Sequence, residues 1–486
     1  MAIDLKLRDP AGLAQFDTAV ATRGHYLTGA QFAARFGPGA ADVSSVSLTA
    51  AGLEVTAVSG NSQVVDATGT AGALTALFHT TLSTYENGSR TFFANDDPVV
   101  IPAALAPVIE GVVGLDNRAV MTPAGTRPTA QATTRPVGGL SPSRVNSAYR
   151  FGQLGATGSG VTVVLWEFDG HKVDRAGYDA APSSGEFEVE EDSEIVSAIA
   201  PAATVISISW GECEAQPSAS YLTAINNAFS QAAAEGIGIY SASGDRGSRD
   251  CAATPTTPAV DFPGSSVYDT SVGGTKLTLG TGVVYGSETA WANGGGGASA
   301  VFAKPGWQTA GASTMRMVPD VSAVADPASS YSAYIQGAWT QAGGTSAAAP
   351  AWAAFTALYN QKAETAGKAD LGFANPALYQ VAGSAKYAAV LHDVTTGSNG
   401  DYTATTGYDE TTGLGSPIGD GLAAVLGVGA NVVTVTSAGN QSTAVGTAVN
   451  LAVQAATRAR SPAGRPRSAT PRSRSPRPTT PRSRAA

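Results

Sequence analysis

The sequence has few charges, few histidines, few cysteines and no long apolar run. Charged residues make up 14% of the 486 positions, and there are only 4 histidines and 2 cysteines. No stretch reaches the length of a transmembrane helix, so no membrane-spanning segment is expected. A signal peptide needs an apolar core, yet the first residues carry the charges Asp4, Lys6, Arg8 and Asp9. Either the protein uses another export route or the start shown is incomplete.

Basic residues are scarce and unevenly distributed. Nine of the 29 bases are arginines between Arg458 and Arg484, a segment without acids, which leaves 20 bases against 38 acids in the rest of the chain. A body so poor in bases gains little self-repelling positive charge when its carboxylates become protonated. The composition therefore permits a protein that stays folded in acid.

Residues 1–120 are predicted to form a small α+β unit. Thr28 is a suitable N-cap for a short helix, and Leu53–Val58 and Gln63–Ala67 alternate like two paired strands. A further helix is predicted around 103–113, because the proline before it suits a helix start. None of these segments carries obvious chemistry.

Residues 121–140 are rich in Thr, Pro, Arg and Gly without periodicity, which predicts an exposed and easily cleaved linker. Strands and helices then alternate through residues 141–428. A buried strand at Val161–Trp166 is followed by strands at Thr204–Ser209 and Gly236–Ser241, with a long helix between the last two. Such alternation predicts an α/β fold with a doubly wound, mostly parallel sheet, whose ligands bind beyond the carboxyl ends of the strands.

The C-terminal end changes character twice. Residues 429–457 contain two predicted strands, which we interpret as a partial β module, a truncated or frame-shifted immunoglobulin-like domain, because two strands alone would be unstable. Residues 458–486 are Ser/Pro/Arg/Thr repeats that cannot form a core and are expected to be disordered. An alternative role for this tail is binding to an acidic surface.

One octet, Gly343-Gly344-Thr345-Ser346-Ala347-Ala348-Ala349-Pro350, stands out in the third quarter of the chain. Its glycines permit a sharp turn, and Pro350 is expected in the first turn of a buried helix that begins beside Ser346. Backbone N–H groups and the helix dipole there suit a nucleophile whose reaction develops an oxyanion. A plain Gly/Ser turn that caps a helix is the alternative for an arbitrary Gly-Thr-Ser. The whole octet resembles the nucleophile motif of the subtilisin-like superfamily.

The base for Ser346 has several candidates. His171 comes too soon after its strand and lacks a His-Gly-Thr context, and no other histidine lies between it and Ser346. Glu188 and Asp192 are four residues apart, so on a helix they share one face, although a solvated acidic helix start would look the same. Asp245 follows a predicted strand end, although an Asp in a Gly-rich segment is usually only a turn residue.

Together these segments resemble the sedolisin family of serine-carboxyl peptidases, and its kumamolisin-like members in particular. The resemblance covers residues 141–427 and extends to the leading unit, whose segments His25-Tyr26-Leu27-Thr28, Phe32-Ala33-Ala34-Arg35-Phe36-Gly37 and Gly114-Leu115-Asp116 resemble the family's propeptide. It implies a subtilisin-like catalytic fold behind a small α+β propeptide domain. The sequence departs from the family pattern in three places. The octet starts with Gly-Gly, Arg246 stands where a small residue is common, and the segment around Glu188 is unusually acidic.

The resemblance implies a role for each matching residue. Ser346 would be the nucleophile, Glu188 the general base, Asp192 the acid that shares a proton with it, and Asp245 the acid that completes the oxyanion hole. Two further members of the same network would be Glu167 and Trp210. The register of the acidic segment leaves Glu190, Glu191 and Glu194 as alternatives.

A carboxylate base has a pKa near 4, against roughly 6.5 for histidine, so this arrangement suits acidic conditions. Asp245 can donate a hydrogen bond to an oxyanion only while it is protonated. We therefore expect an acid-acting serine endopeptidase that works through an acyl-enzyme and is made as a self-processing zymogen. The alternatives are a neutral subtilisin-type protease that uses His171, or an inactive, calcium-stabilised relative that binds peptides.

The resemblance also implies one structural Ca²⁺ ion. Asp393 and Asp409 would bind it through carboxylates, and carbonyl ligands would come from Val394, Thr405 and Gly407, because calcium prefers an oxygen cage. Cys213 follows the Trp210 strand and Cys251 follows the Asp245 turn, so both are expected at one sheet edge, where a disulfide is plausible in a secreted enzyme.

The expected partners are polypeptide substrates and the chain's own propeptide in cis, with neither nucleic acid nor membrane, and the protein is expected to be a secreted, extracellular monomer. The leading unit is expected to assist folding and to cover the cleft until acid loosens it. The maturation cut is expected within residues 121–140.

Overall fold

The computed structural model describes residues 1–49, 52–88, 90–118, 121–123, 138–166, 204–251, 257–335 and 338–428. Several expected features lie outside these residues: Glu167, His171, Glu188 and Asp192, most of the linker, and residues 429–486 with the partial β module and the tail.

The N-terminal unit, residues 1–118, contains an antiparallel sheet in the order Glu54–Val58, Val64–Thr68, Ala2–Leu5, Ile109–Val113, together with a hairpin formed by Leu82–Asn87 and Arg90–Asn95. Its helices are Pro10–Arg23, Gly29–Arg35, Ala40–Thr49 and Ala71–Phe78. Thr28 caps the second helix as expected, because its hydroxyl accepts from Gln31 N at 3.3 Å while Gln31 Oε1 accepts from Thr28 N at 2.8 Å.

The prediction of a helix around residues 103–113 is wrong. Residues 103–108 form turns, and Ile109–Val113 is a strand that pairs antiparallel with Ala2–Leu5. Ile109 and Val112 are buried in the core of this unit. Their branched side chains pack well on a sheet, so tertiary pairing outweighs the helix-start signal of the proline.

The main unit, residues 138–428, is built on a six-stranded sheet that is parallel except at one edge. Its strands run in the order Thr162–Leu165, Thr204–Ile208, Ile239–Ala242, Thr270–Leu279 and Tyr285–Ala290, and Val321–Val324 also pairs with Thr270–Leu279. Only the pair Thr270–Leu279 and Tyr285–Ala290 is antiparallel within it. The expected doubly wound, mostly parallel fold is therefore confirmed.

Helices and short strands complete the main unit. The helices among the described residues are Pro142–Ala148, Ala219–Glu235, Thr345–Thr365, Asn375–Ala382, Tyr387–Val390 and Gly419–Ala423, with a 3-10 helix at Phe151–Leu154 and a π-helical turn at Ala424–Val428. The remaining strands pair in small antiparallel sets: Gly297–Ala303 with Met315–Val318, Tyr331–Ile335 with Ala338–Ala342, and Leu391–His392 with Ser416–Pro417. Thr162–Leu165 is the last strand of this sheet among the described residues, and its Thr162 and Val164 side chains are exposed, so this strand is not the buried one that was expected.

The helix Thr345–Thr365 passes through the centre of the main core. Every residue from Thr345 to Asn360 is buried, and Trp352 and Phe355 pack edge to face against each other. A helix that is apolar on all sides must be enclosed by its fold. The expected buried helix behind Ser346 is therefore present, and its first residues are held rigidly by their surroundings.

The start of the linker is only partly exposed, which differs from the expectation. Thr122–Pro123 forms a strand that pairs antiparallel with Trp210–Cys213, which pairs on its other side with Asp261–Phe262. Met121 is 9% exposed. Composition alone overlooked this segment, because a short strand can be fixed by its partner strand rather than by its own pattern.

The N-terminal unit packs against the helix Ala219–Glu235 of the main unit. Ser230 Oγ donates to Asp17 Oδ2 at 2.8 Å, and Asn227 Nδ2 donates to Asp4 Oδ2 at 3.1 Å. Tyr26 adds a second contact, because its hydroxyl donates to the backbone carbonyls of Asp370 and Leu371. Within the part of the chain that the structure describes, no helix is both long enough and apolar enough to cross a membrane.

Candidate active site

Ser346 is the second residue of the central helix and follows a turn that requires glycine. A Cβ atom on Gly343 would lie 2.5 Å from the Ala325 carbonyl oxygen and 2.8 Å from Pro327 Cα. Gly344 has φ = 135°, a left-handed conformation that favours glycine. The Gly-Gly start of the octet is thus a steric requirement of the turn that delivers Ser346.

The Ser346 side chain is buried, and its hydroxyl has no hydrogen-bond partner among the described residues. Buried hydroxyl groups in folded proteins are normally hydrogen-bonded, so an orphan hydroxyl needs an explanation. A nucleophile that awaits its base and its substrate is one such explanation.

Asp245 lies at the amino end of the same helix. Thr345 N donates to Asp245 Oδ1 at 2.8 Å, and Thr345 Oγ1 lies 2.9 Å from the same oxygen. The Thr345 hydroxyl also accepts from Gly244 N at 3.1 Å. Thr345 therefore fixes the Asp245 carboxyl one residue from Ser346.

Pro350 is the sixth residue of the helix, not part of its first turn as expected. Proline lacks an N–H, so the carbonyl of Ser346, four residues earlier, has no helical donor. Ser209 Oγ donates to that carbonyl instead, at 3.2 Å. The proline thus leaves the backbone of Ser346 tied to the residue that precedes the strand Trp210–Cys213.

The base candidates cannot be placed by the described residues, since Glu188, Asp192, Glu167 and His171 all lie outside them. Of the other histidines, His25 and His79 belong to the N-terminal unit, and His392 stacks on Tyr285 with ring centroids 3.5 Å apart. Burial lowers the pKa of His392 to about 4. His392 is therefore a neutral, packed side chain over most of the pH range.

Three buried acids behind Asp245 were not anticipated. Asp250, Asp261 and Glu212 are each at least 93% buried, and each has one carboxyl oxygen without a hydrogen-bond partner among the described residues. Burial raises the pKa of Asp261 to about 8 and that of Glu212 to about 7, while the nearby guanidinium of Arg246 opposes the rise at Asp261. The available signal was an acid inside an apolar segment, Ala259-Val260-Asp261-Phe262.

The disulfide lies beside these acids. Cys213 and Cys251 are joined, with their Cα atoms 4.8 Å apart. The bond connects the end of the strand Trp210–Cys213 to the residue after Asp250. It therefore ties two segments that flank Asp245 and Trp210, and Trp210 itself is 5% exposed and packs with Leu222 and Phe262.

Two of the expected calcium ligands, Asp393 and Asp409, lie against one turn that contains Thr405 and Gly407. Asp393 accepts from Gly407 N, at 3.0 and 3.1 Å to its two oxygens, and Asp409 Oδ2 accepts from Thr405 N at 2.9 Å. Two carboxylates thus converge on residues 405–409, and the donors available there are oxygens, which fit a hard cation. The described residues contain no group of three His, Cys, Asp or Glu side chains that could hold a metal, so any ion here needs backbone carbonyls.

Comparison with known families divides the chain at the linker. Residues 1–118 match the family described as Pro-kumamolisin, activation domain, and residues 171–382 match the Subtilase family. The first match coincides with the N-terminal unit. The second contains both Asp245 and Ser346.

Several characterised proteins are similar over most of their length. Kumamolisin of Bacillus sp. (strain MN-32) is 33% identical over 417 residues, which cover 69% of this chain and 73% of that protein. Sedolisin of Pseudomonas sp. (strain 101) is 28% identical over 506 residues, which cover 86% and 85%. A solved structure of Pseudomonas sedolisin, described as a serine-carboxyl proteinase complexed with two molecules of pseudo-iodotyrostatin, has a TM-score of 0.50 and 25% identity, covering 61% of this chain and 98% of that one.

Proposed function

Because the chain belongs to the sedolisin family of serine-carboxyl peptidases, we propose that it is an acid-acting, self-processing member with Ser346 as its nucleophile. It is a serine-type endopeptidase made as a zymogen, and its N-terminal unit is the propeptide. The observation that carries the site assignment is the hydrogen bond from Thr345 N to Asp245 Oδ1, which holds a carboxyl beside the start of the Ser346 helix.

Asp245 would act as an oxyanion-hole acid. Thr345 holds the carboxyl in place, and a protonated Asp245 would donate its O–H as a hydrogen bond when the substrate carbonyl becomes an oxyanion. Only the protonated form can donate this hydrogen bond, so activity should fall once Asp245 ionises. The buried acids Asp250 and Asp261 interact electrostatically with Asp245 and, when ionised, would oppose its ionisation.

Glu188 would accept the Ser346 proton during attack and return it to the leaving amine, while Asp192 shares a proton with Glu188 as a coupled pair. Glu167 and Trp210 would belong to the same network. These roles rest on the family resemblance, since only Trp210 among them lies in the described residues. Glu190 and Glu191 provide matched neighbours for testing them.

Self-processing is supported by the position of the linker. Thr122–Pro123 lies along Trp210 and Gly211, and Ser209, one residue earlier, contacts the Ser346 carbonyl. The described start of the linker therefore lies next to a strand that leads to the site, and cleavage within residues 121–140 would release the N-terminal unit. N-terminal sequencing of the acid-treated protein would identify the bond.

Two further proposals concern stability and location. Asp393 and Asp409, with the carbonyls of Val394, Thr405 and Gly407, would hold one Ca²⁺ ion, which would stabilise the loop and supply no step of catalysis. The disulfide supports a secreted enzyme, because such bonds persist in oxidising compartments.

The test is hydrolysis of an unfolded protein from pH 2 to pH 8 after acid treatment. Ser346→Ala and Glu188→Ala should abolish measurable activity, whereas Glu190→Ala should retain it. Asp245→Asn should lower kcat by about 10²–10³, the usual cost of losing one oxyanion-hole donor. Activity that peaks near neutrality and survives Glu188→Ala would move the base to His171.

A further inference from the structure

Asp245 lies in a turn that a distant loop contacts. We call residues 243–250 the Asp245 turn and residues 398–402 the support loop. The Asp245 turn follows the strand Ile239–Ala242, and the Asp245 carboxyl contacts Thr345. Ser248 of the turn and Asp401 of the loop are in contact although they are 153 residues apart in sequence. The tertiary fold therefore brings the support loop to the segment that carries the proposed oxyanion-hole acid.

The support loop packs directly on the backbone of the Asp245 turn. Ser248 N donates to the Asn399 carbonyl oxygen at 2.9 Å. A Cβ atom on Gly247 would lie only 2.4 Å from the same carbonyl oxygen, and Gly247 has φ = 69°. A side chain at position 247 would therefore push the two segments apart, and glycine allows them to meet.

Asp401 binds the side chains of two consecutive residues of the turn. Its Oδ2 accepts from Ser248 Oγ at 2.6 Å and from Arg249 Nε at 2.7 Å, while its Oδ1 accepts from Arg249 Nη2 at 2.7 Å. The Ser248 hydroxyl in turn accepts from Asp401 N at 3.0 Å. A guanidinium that donates to both oxygens of a carboxylate fixes orientation as well as distance.

This contact persists in acid. The hydrogen bonds from Arg249 and Ser248 hold the pKa of Asp401 well below its usual range. Asp401 therefore stays ionised at a pH where an ordinary Asp side chain is largely protonated. An enzyme that works in acid keeps the link between the support loop and the Asp245 turn.

Asn399 connects the support loop to the other side of the Asp245 turn. Its side chain is buried, and its Nδ2 donates to the Gly294 carbonyl at 3.2 Å. The next residue, Gly295, donates from its N to the Gly244 carbonyl at 2.7 Å, directly before Asp245. The support loop therefore holds the backbone after Asp245 directly and the backbone before it through residues 294–295.

We propose that Asp401 is a positioning residue for the oxyanion-hole acid: through Ser248 and Arg249 it fixes the turn that presents the Asp245 carboxyl to the substrate carbonyl. This inference rests on the proposed function and extends it to a loop that carries none of the proposed catalytic groups. An oxyanion-hole donor acts because it is already in place, and a displacement of about 1 Å can cost about 100-fold in rate.

The test is a double-mutant cycle in the acid-activated full-length protein, with hydrolysis of an unfolded protein measured per processed molecule. Asp401→Asn keeps the shape of the side chain but places an amide NH₂ group against the guanidinium of Arg249. It should lower kcat about 10-fold and change KM by less than about 2-fold. In an Asp245→Asn background the same substitution should change kcat by less than about 2-fold, because the carboxyl that it positions is absent.

Asp420→Asn is the matched control. Asp420 forms an ion pair of similar exposure with Arg150, at the start of the helix Gly419–Ala423. Its loss should change kcat by less than about 2-fold, because surface ion pairs contribute little on their own. An equal fall in kcat from Asp401→Asn in both backgrounds, or no fall in either, would overturn the positioning role. Full activity of Asp245→Asn alone would instead refute the proposed function of Asp245.

A second measurement does not depend on activity. In the full chain carrying Ser346→Ala, adding Asp401→Asn should speed hydrogen exchange at the amides of Gly247 and Ser248, whereas adding Asp420→Asn should leave both unchanged. Unchanged exchange in both variants would show that Asp401 does not hold the turn. Faster exchange throughout the six-stranded sheet would identify a general loss of stability and would also overturn the proposal.

Discussion

The Asp17 carboxyl provides a quantitative prediction about how the propeptide docks. It is 1% exposed, it accepts from Ser230 Oγ at 2.8 Å, and its other oxygen has no partner among the described residues. Burial raises the pKa of Asp17 from 3.8 to about 8, and Tyr268 of the main unit interacts electrostatically with it. The buried carboxyl therefore favours its protonated form.

Proton linkage determines how the stability of the folded chain changes with pH because of Asp17. The pKa of Asp17 is higher in the folded chain than in the unfolded chain. Its contribution to folding stability is therefore complete below about pH 4 and is lost as pH rises toward 8. Each pH unit in that window costs about 1.4 kcal/mol, so the full-length chain should lose about 3 kcal/mol between pH 5 and pH 7.5 from this group alone. This is an upper value, since local relaxation and water entry reduce it.

Asp17→Asn replaces the carboxyl by a neutral group of the same shape that can still pair with Ser230. In the Ser346→Ala background, which prevents processing, the variant should melt several degrees above its parent at pH 7.5 and close to it at pH 5. Asp66→Asn, at an exposed position of the same unit, is the control and should leave both temperatures unchanged. An identical pH dependence in the parent and Asp17→Asn would refute the reasoning.

The pKa values of these buried acids bear on how acid activates the zymogen through the interface between the N-terminal unit and the helix Ala219–Glu235. Protonation of Asp17, and of Asp4 with its pKa of about 6, strengthens this interface in acid instead of loosening it. If acid frees the cleft, the release has to come from cleavage of the linker or from groups elsewhere in the contact.

Three further outcomes are expected. Gly343→Ala should lower activity at least 10-fold with the fold retained by circular dichroism, because its Cβ would meet the Ala325 carbonyl at 2.5 Å; full activity would show that the turn can adjust. Cys213→Ser should destabilise the chain by about 2–4 kcal/mol in urea unfolding, and an unchanged midpoint would contradict this. Removing calcium with EGTA should lower the melting temperature of the wild type but not that of Asp393→Asn, and equal losses in both would place the ion elsewhere.

Sequence patterns predicted what local chemistry determines. Three predicted features follow from residue spacing and turn residues, and the structure contains all of them. They are the Thr28 cap, the mostly parallel sheet inferred from alternating strands and helices, and the buried helix that begins beside Ser346. The placement of Asp245 beside that helix also follows, because parallel strands end at the same edge of a sheet.

Other features depended on contacts between distant segments. The strand Ile109–Val113 forms because Ala2–Leu5 lies beside it, and the strand Thr122–Pro123 forms because Trp210–Cys213 does. Asp250 is buried by a fold that joins three separate segments, so its sequence neighbours gave no sign of it. Such pairings involve large sequence separations, where local propensity carries little information.

If polypeptide substrates pair with the edge of the strand Trp210–Cys213 on which Thr122–Pro123 lies, this geometry limits which proteins can be degraded. A strand edge binds through backbone N–H and C=O groups that every chain shares, so recognition there depends more on chain geometry than on sequence. The partner must supply several consecutive residues in extended form with their own hydrogen bonds broken. Compact domains would be poor substrates, and proteins already unfolded by their surroundings would be cut first.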